Sequence, residues 1–450
     1  MIALVERTHL RWWVAGICLA LLAGCKAPRP IATEPLWQVV DESHTNPDSL
    51  PQQVDQSGNS WQSSGSSTDD YQLSLLDHTG ELRWELPMGD STRLMSPSGD
   101  NMIVLTQDMN LNKVSADGNI VWQAPSLPAG QYWGLTLNVA SDGDVLLSGR
   151  LDDFIYAIAL DSDGQLVWQH QFAVTANTYA TSLVKTASGR WLLLDSGNNG
   201  THNLYRISDN GLQIESVALT PEVQALYSAR MKATSNGVYV FSWQGLAGLD
   251  AEGEFAWFYK PDGLAGGLLC SNPIDAGIAC GHITQSLADT TIVERIAPDG
   301  TVLLSNSYPL LTGMDGLYWF DDGRLVVRSV SMSTITDNLD SYLRLFQLTY
   351  TGYRTHYLQV TDNAGVMTTN ITLAPKQMLL PKRPLYPPYY FSWEATNEPY
   401  YTDQSIGLRD NILIVAGVLT QSAPSGSTDR GNNNYVTAYP IDVDVKVTSQ

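Results

Sequence analysis

With 46 acidic against 25 basic residues among 450, the chain carries a net charge of -21, so nucleic acid and anionic lipid headgroups are poor partners for its body. No basic patch of useful size offsets that repulsion. Length alone suggests several ordinary domains, yet a ring of small sheets can use it as one closed unit, because each sheet needs only its neighbours to bury its faces.

Residues 1–24 are not fold. Arg7 and Arg11 form a positive n-region, and the apolar run WWVAGICLALLAG behind them is marginal in length as a membrane span. It ends in Leu22-Ala23-Gly24-Cys25, which resembles the lipobox of bacterial lipoproteins. The resemblance implies cleavage of a signal peptide before Cys25 and lipid modification of Cys25 as the new N-terminus. Lys26, where an Asp would signal retention, implies the outer membrane, lipid-anchored on its periplasmic side. A linker at 25–34 follows. Export also frames the other cysteines. Cys18 is discarded and Cys25 carries lipid, so Cys270 and Cys280, ten residues apart in LLCSNPIDAGIACGH, read as a disulfide across a hairpin. A metal pair would need more than the single nearby His282.

Pro35-Leu36-Trp37-Gln38-Val39-Val40 then reads as an isolated strand without a hairpin partner, similar to Leu166-Val167-Trp168-Gln169. From there a hairpin of β-branched and aromatic strands repeats, with turn glycines at Gly80, Gly118, Gly164, Gly211, Gly253, Gly300 and Gly352. Spacings of 38 to 52 residues mark an all-β propeller in which each repeat is one four-stranded blade. Ahead of most of these glycines stands a second turn-and-strand signal, such as ASDGDVLLSG or TASGRWLLLD, which supplies the first hairpin of the blade. At the far end, LRDNILIVAG and the strand at 434–441 make a blade without a fourth strand. The stray N-terminal strand would complete it and close the ring, removing two open edges. Counting the weak hairpin QVDQSGNSWQSS predicts eight blades; seven follow if residues 36–66 are an irregular lead-in.

One stretch breaks the rhythm. Residues 361–403 are too long for a blade connection and combine six prolines with Tyr386, Tyr389, Tyr390, Phe391 and Trp393, beside Lys382 and Arg383. Such aromatic density argues against plain disorder, and the stretch reads as a partner-binding arm or as a lid over the central channel.

Chemical motifs are weak by comparison. Asp161-x-Asp163-Gly164 lacks the later carboxylate of a calcium loop and is explained by a polar turn. The pairs Asp152-Asp153 and Asp321-Asp322 read as solvated loop charge, although two carboxyls about 5 to 10 Å apart could serve sugar chemistry. The seven histidines are scattered, and no nucleophile elbow, phosphate loop or H-E-x-x-H motif is present. No metal and no cofactor is expected.

The hairpins resemble the repeats of quinoprotein-like (PQQ-like) propellers, whose pattern runs A-x-D-x-x-T-G-x-x-x-W; Ala159, Asp161, Gly164 and Trp168 come nearest to it. What the resemblance implies is that Trp84, Trp122, Trp168 and Trp257 dock between adjacent blades. It specifies fold and leaves activity open, since propellers host unrelated functions. In anchor, compartment and blade count the chain is also similar to the propeller lipoproteins of the outer-membrane barrel-assembly machinery. The reading that follows is a non-catalytic scaffold with a protein partner and with membrane lipid reached through Cys25. A periplasmic enzyme, quinone-dependent or acting on a glycan or sulfate ester, and a surface adhesin are the alternatives.

Overall fold

A computed structural model describes residues 33–40, 51–65, 71–125, 127–128, 130–174, 178–197, 202–261, 264–284, 290–309, 314–336, 350–373, 376–379, 394–395, 400–420 and 432–441. Their strands form eight antiparallel sheets in chain order, an eight-bladed β-propeller. Blades 1 to 6 occupy 52–87, 92–125, 133–173, 178–217, 230–259 and 264–309, and blade 7 begins at Met314. Blade 8 takes three strands from 400–440 and its outermost from Trp37–Val40, with Trp37 opposite Ala438 and Val40 opposite Tyr435. The ring is therefore closed by the N-terminal strand. Among the described residues the one α-helix is the single turn Pro221–Gln224.

Both faces of an inner strand are apolar because each sheet packs between two others. Leu146 and Leu147, adjacent in blade 3, are both fully buried, one against blade 4 and the other against blade 2. Val184, Leu192 and Leu194 of blade 4 likewise meet Met231, Val238 and Val240 of blade 5.

The turn between the third and fourth strands shows why the repeat carries Asp and Gly. Asp161 Oδ1 accepts from the backbone N–H groups of Asp163 and Gln165, at 3.0 and 2.8 Å, while Gly164 N–H closes the turn on Asp161 O. Gly164 takes φ +80°, and the ladder slips by one residue beside it. Asp77, Asp250 and Asp362 cap their turns in the same way. At Asp77 burial opposes the charge, but hydrogen bonds from Thr79, Glu81 and Arg83 outweigh it and hold the carboxyl at about 2.

In blade 7 this turn is Asp362 to Gly365, with Gly365 at φ +75°. Gly352 is not a turn residue, as its spacing suggested; it lies within the strand Tyr350–Thr361, opposite Thr334 and Met378. The physical reason is that the two long strands pair straight through this point, and the chain reverses only at the turn capped by Asp362. Thr349 stands three residues before Gly352, where Asp362 stands before Gly365.

The tryptophans fasten each blade to the next. Trp84, Trp122 and Trp257 lay their rings on Gly118, Gly164 and Gly300 of the following blade, where an added Cβ would stand 2.6 to 2.7 Å from the indole. Their Nε1–H groups donate to Ala116 O, Ser162 O and Pro298 O, in each case the carbonyl two residues before the glycine. Trp168 covers Gly211, but Asp209 O already accepts from Trp191, and His170 reaches Gly211 O at 2.6 Å instead. Trp37 rests on Gly80 and so performs the same task for the closing blade.

Cys270 and Cys280 form a disulfide between directly opposed residues of the first two strands of blade 6, with Cα atoms 4.1 Å apart. Closing so short a loop contributes about 2–3 kcal/mol in the chain-entropy model.

Candidate interaction surface

Antiparallel pairing puts two kinds of turn on each side of the ring. Turns joining strands one to two and three to four share one face, the turn face; turns joining strands two to three share the other with the links between blades, the connection face.

The turn face is laced shut between neighbours. Lys113 of blade 2 donates to Ser162 O of blade 3, Arg206 of blade 4 to Glu252 O of blade 5, and Arg295 of blade 6 to the Asp362 and Asn363 carbonyls of blade 7. First turns are linked as well, Arg409 to Ser57 O and Asn236 to Asp275 O. An open groove remains where blades 8, 1 and 2 meet, lined by Asp77, His78, Arg83, Trp84, Asp117 and Arg409. Its charges are largely paired within the protein: Arg83 binds Asp77, and Arg409 donates to His78 Nδ1 at 3.1 Å.

The connection face is built differently. Trp133 opens the first strand of blade 3, Phe154 follows its second turn, Tyr227 lies on the link from blade 4 to blade 5, and Trp243 sits in the second turn of blade 5. All four are exposed, Trp133 by 68% and Trp243 by 58%. Hydrogen bonds to the main chain of two of them fix their place. Tyr227 N–H donates to Gln244 Oε1 at 2.7 Å, and Trp243 O accepts from Leu268 N–H of blade 6 at 2.6 Å. Exposed aromatic rings gathered in this way offer a contact surface, while the exposed aliphatics Leu82, Ile120, Leu166, Leu212 and Val302 stand beside the turns of the other face.

Blade 7 adds to that face. Its second and third strands, Leu325–Thr336 and Tyr350–Thr361, are twelve residues each and pair along their whole length, against five to nine residues for the second and third strands of the other blades. The excess lies beyond Ser329, opposite which the first strand begins at Met314, and so projects from the connection face. Lys376–Leu379 and Glu394–Ala395 widen this extension to a further pair of strands. Of the stretch beginning at 361, Met367–Thr372 is the fourth strand of blade 7 and Tyr400–Arg409 starts blade 8.

Several expected site residues do not converge. Asp152-Asp153 lie on the connection face and Asp321-Asp322 on the turn face, where Asp322 is held by Arg324 at 2.5 Å. These pairs therefore cannot share a substrate. His202 and His282 are buried and burial pushes both down; the His202 ring bonds Leu226 O, a structural task. Among the described residues no group of three or more His, Cys, Asp or Glu is placed to hold a metal ion. Cys25, Lys382, Arg383, Tyr386, Tyr389, Tyr390, Phe391 and Trp393 lie outside the described residues.

No protein-family model and no curated protein matches the chain. Among solved structures it is similar to the computationally designed Ika8 protein, at TM-score 0.50 and 12% identity over 92% of this chain and 100% of that one. It is also similar to the WD40 domain of SCAP from fission yeast, at TM-score 0.47 and 10% identity over 92% and 97% of the two chains. A third is BamB from Moraxella catarrhalis, at TM-score 0.43 and 12% identity over 90% and 100%. At such identities the likeness is one of fold.

Proposed function

We propose that this protein is a non-catalytic scaffold, lipid-anchored at the outer membrane through Cys25, that binds a protein partner on its connection face. The observation that carries the reading is the coincidence, on one face, of exposed Trp133, Phe154, Tyr227 and Trp243 with the overbuilt hairpin of blade 7. Aromatic anchors supply contact area at little cost in side-chain entropy, and a projecting sheet extends the reach of the ring. The stretch 380–393, with its aromatic residues, Lys382 and Arg383, joins the two strands that widen this hairpin and would extend the same surface.

The anchor fits the same arrangement. Thr33 N–H donates to Thr372 O, and Thr372 N–H to Thr33 Oγ1, each at 2.8 Å, which ties the lead-in to the outer strand of blade 7. Eight residues from Cys25 to Thr33 span at most about 28 Å. A lipid at Cys25 would thus hold the flank of blades 7 and 8 close to the bilayer.

Cys25→Ser should move the protein from the detergent phase to the aqueous phase, since no second anchor is proposed. A Ser variant that still sediments with membranes in high salt contradicts the anchor. Deleting 380–393 should leave the melting temperature nearly unchanged and abolish co-purification of the partner. A deletion that lowers the melting temperature and leaves the partner bound contradicts a partner-binding role for this stretch.

A further inference from the structure

The first strands of blades 3, 4 and 5 border a half-open cavity of about 70 Å³ near the turn face, lined in part by Asn138, Val184, Lys185, Lys232 and Thr234. Lys232 enters it from blade 5, half-buried, and its Nζ donates to Asn138 Oδ1 of blade 3 at 2.6 Å. Asn138 Nδ2 donates in turn to Leu183 O of blade 4 at 2.9 Å, which fixes the amide with its oxygen towards the amine. An ammonium has three donors. Among the described residues no second acceptor and no carboxylate engages Lys232.

Its neighbour Lys185 is in a different position. Asp142 and Asp144 each hold that amine at 2.5 Å, above the Trp191 ring at 4.8 Å, so its charge is spent within the protein. Burial pushes the Lys232 amine down from its ordinary range, and the cation of Arg230, two residues along the same strand and so on the same face, pushes it further. Both effects disfavour a bare ammonium at this place, and an anion beside the amine would restore its charge.

We propose that this cavity seats a carboxylate, with Lys232 as the binding residue and Asn138 as the residue that positions it. A carboxylate offers two oxygens to the two spare donors and suits a space that holds only a few waters. The group can arrive on a free small acid or on an acidic side chain of a polypeptide entering the axis.

Calorimetric titration of the full mature chain in detergent tests this, with sodium acetate in one arm and a Glu-containing tetrapeptide in the other, against sodium chloride at equal ionic strength. Saturable binding of acetate assigns a free acid; binding of the peptide alone assigns a polypeptide carboxylate. Lys232→Met should weaken either by at least about tenfold, the loss of one charge-assisted hydrogen bond. Asn138→Asp, which offers the amine a carboxylate of its own, should do the same and serves if Lys232→Met does not fold. Failure of both titrants to bind, or wild-type affinity in either variant, overturns the proposal.

Discussion

Trp168→Ala should lower the unfolding free energy by about 3–5 kcal/mol, the usual loss for a large aromatic removed from a core. Trp168 is 5% exposed and lies in the seam of blades 3 and 4, among Ile155, Ala157, Leu183, Trp191 and Ile207. It meets the Trp191 ring edge-on at 5.6 Å and stacks with His170 at 5.3 Å. Its Nε1 has no hydrogen-bond partner, so nearly all of the loss is packing. Trp84, Trp122 and Trp257 are only half-buried, and each replacement should cost less packing while also giving up one hydrogen bond. Equilibrium unfolding in urea ranks the four. A Trp168→Ala loss below about 1 kcal/mol would contradict the seam, because surface substitutions commonly fall within that range.

Replacing Trp133 and Trp243 together by serine should weaken partner binding by about 100-fold or more, since interface aromatics of this kind each carry roughly 2 kcal/mol or more. Stability should hardly change. Both side chains are mostly in water, and the backbone bonds that fix their turns do not involve the rings. The measurement is affinity of the double variant for the co-purified partner, read beside its melting temperature. Leu212→Ser serves as the control, because Leu212 is more exposed still, at 82%, and lies in the turn before the outer strand of blade 4 at the turn face.

Blade number and closure were legible because their signals are local. An Asp or Ser three residues before the glycine opens the turn between the third and fourth strands in blades 1 to 5 and 7, with Ala297 in that place in blade 6, and a Trp four residues after the glycine lands on the next turn of the ring. Trp37, in a strand that matched the fourth strand of blade 3, disclosed the closing strand for the same reason. Blade 7 was harder. Its hairpin is twice the ordinary length, so Thr351-Gly352 imitated a turn at nearly the expected spacing while the capped turn lay thirteen residues on.

The candidate surface was not legible at all from local pattern. Trp133, Phe154, Tyr227 and Trp243 come from a strand start, two turns and a blade link, separated by up to 110 residues, and only antiparallel topology places them on one side. The lattice of Lys113, Arg206 and Arg295 has the same character, since each bonds a carbonyl in the next blade and no sequence motif announces it. Lys232 and Asn138 stand 94 residues apart and meet because three first strands converge on the axis.

Whether one face of the ring carries the partner can be read by photo-crosslinking in intact cells. A photoreactive residue is placed singly at Trp133, Tyr227 and Trp243 on the connection face, and singly at Asn119, Glu252 and Thr301 on the turn face. The same discrete protein adduct is expected from all three connection-face positions and none from the turn-face positions. Adducts of equal yield from both faces, or from the turn face alone, would contradict it.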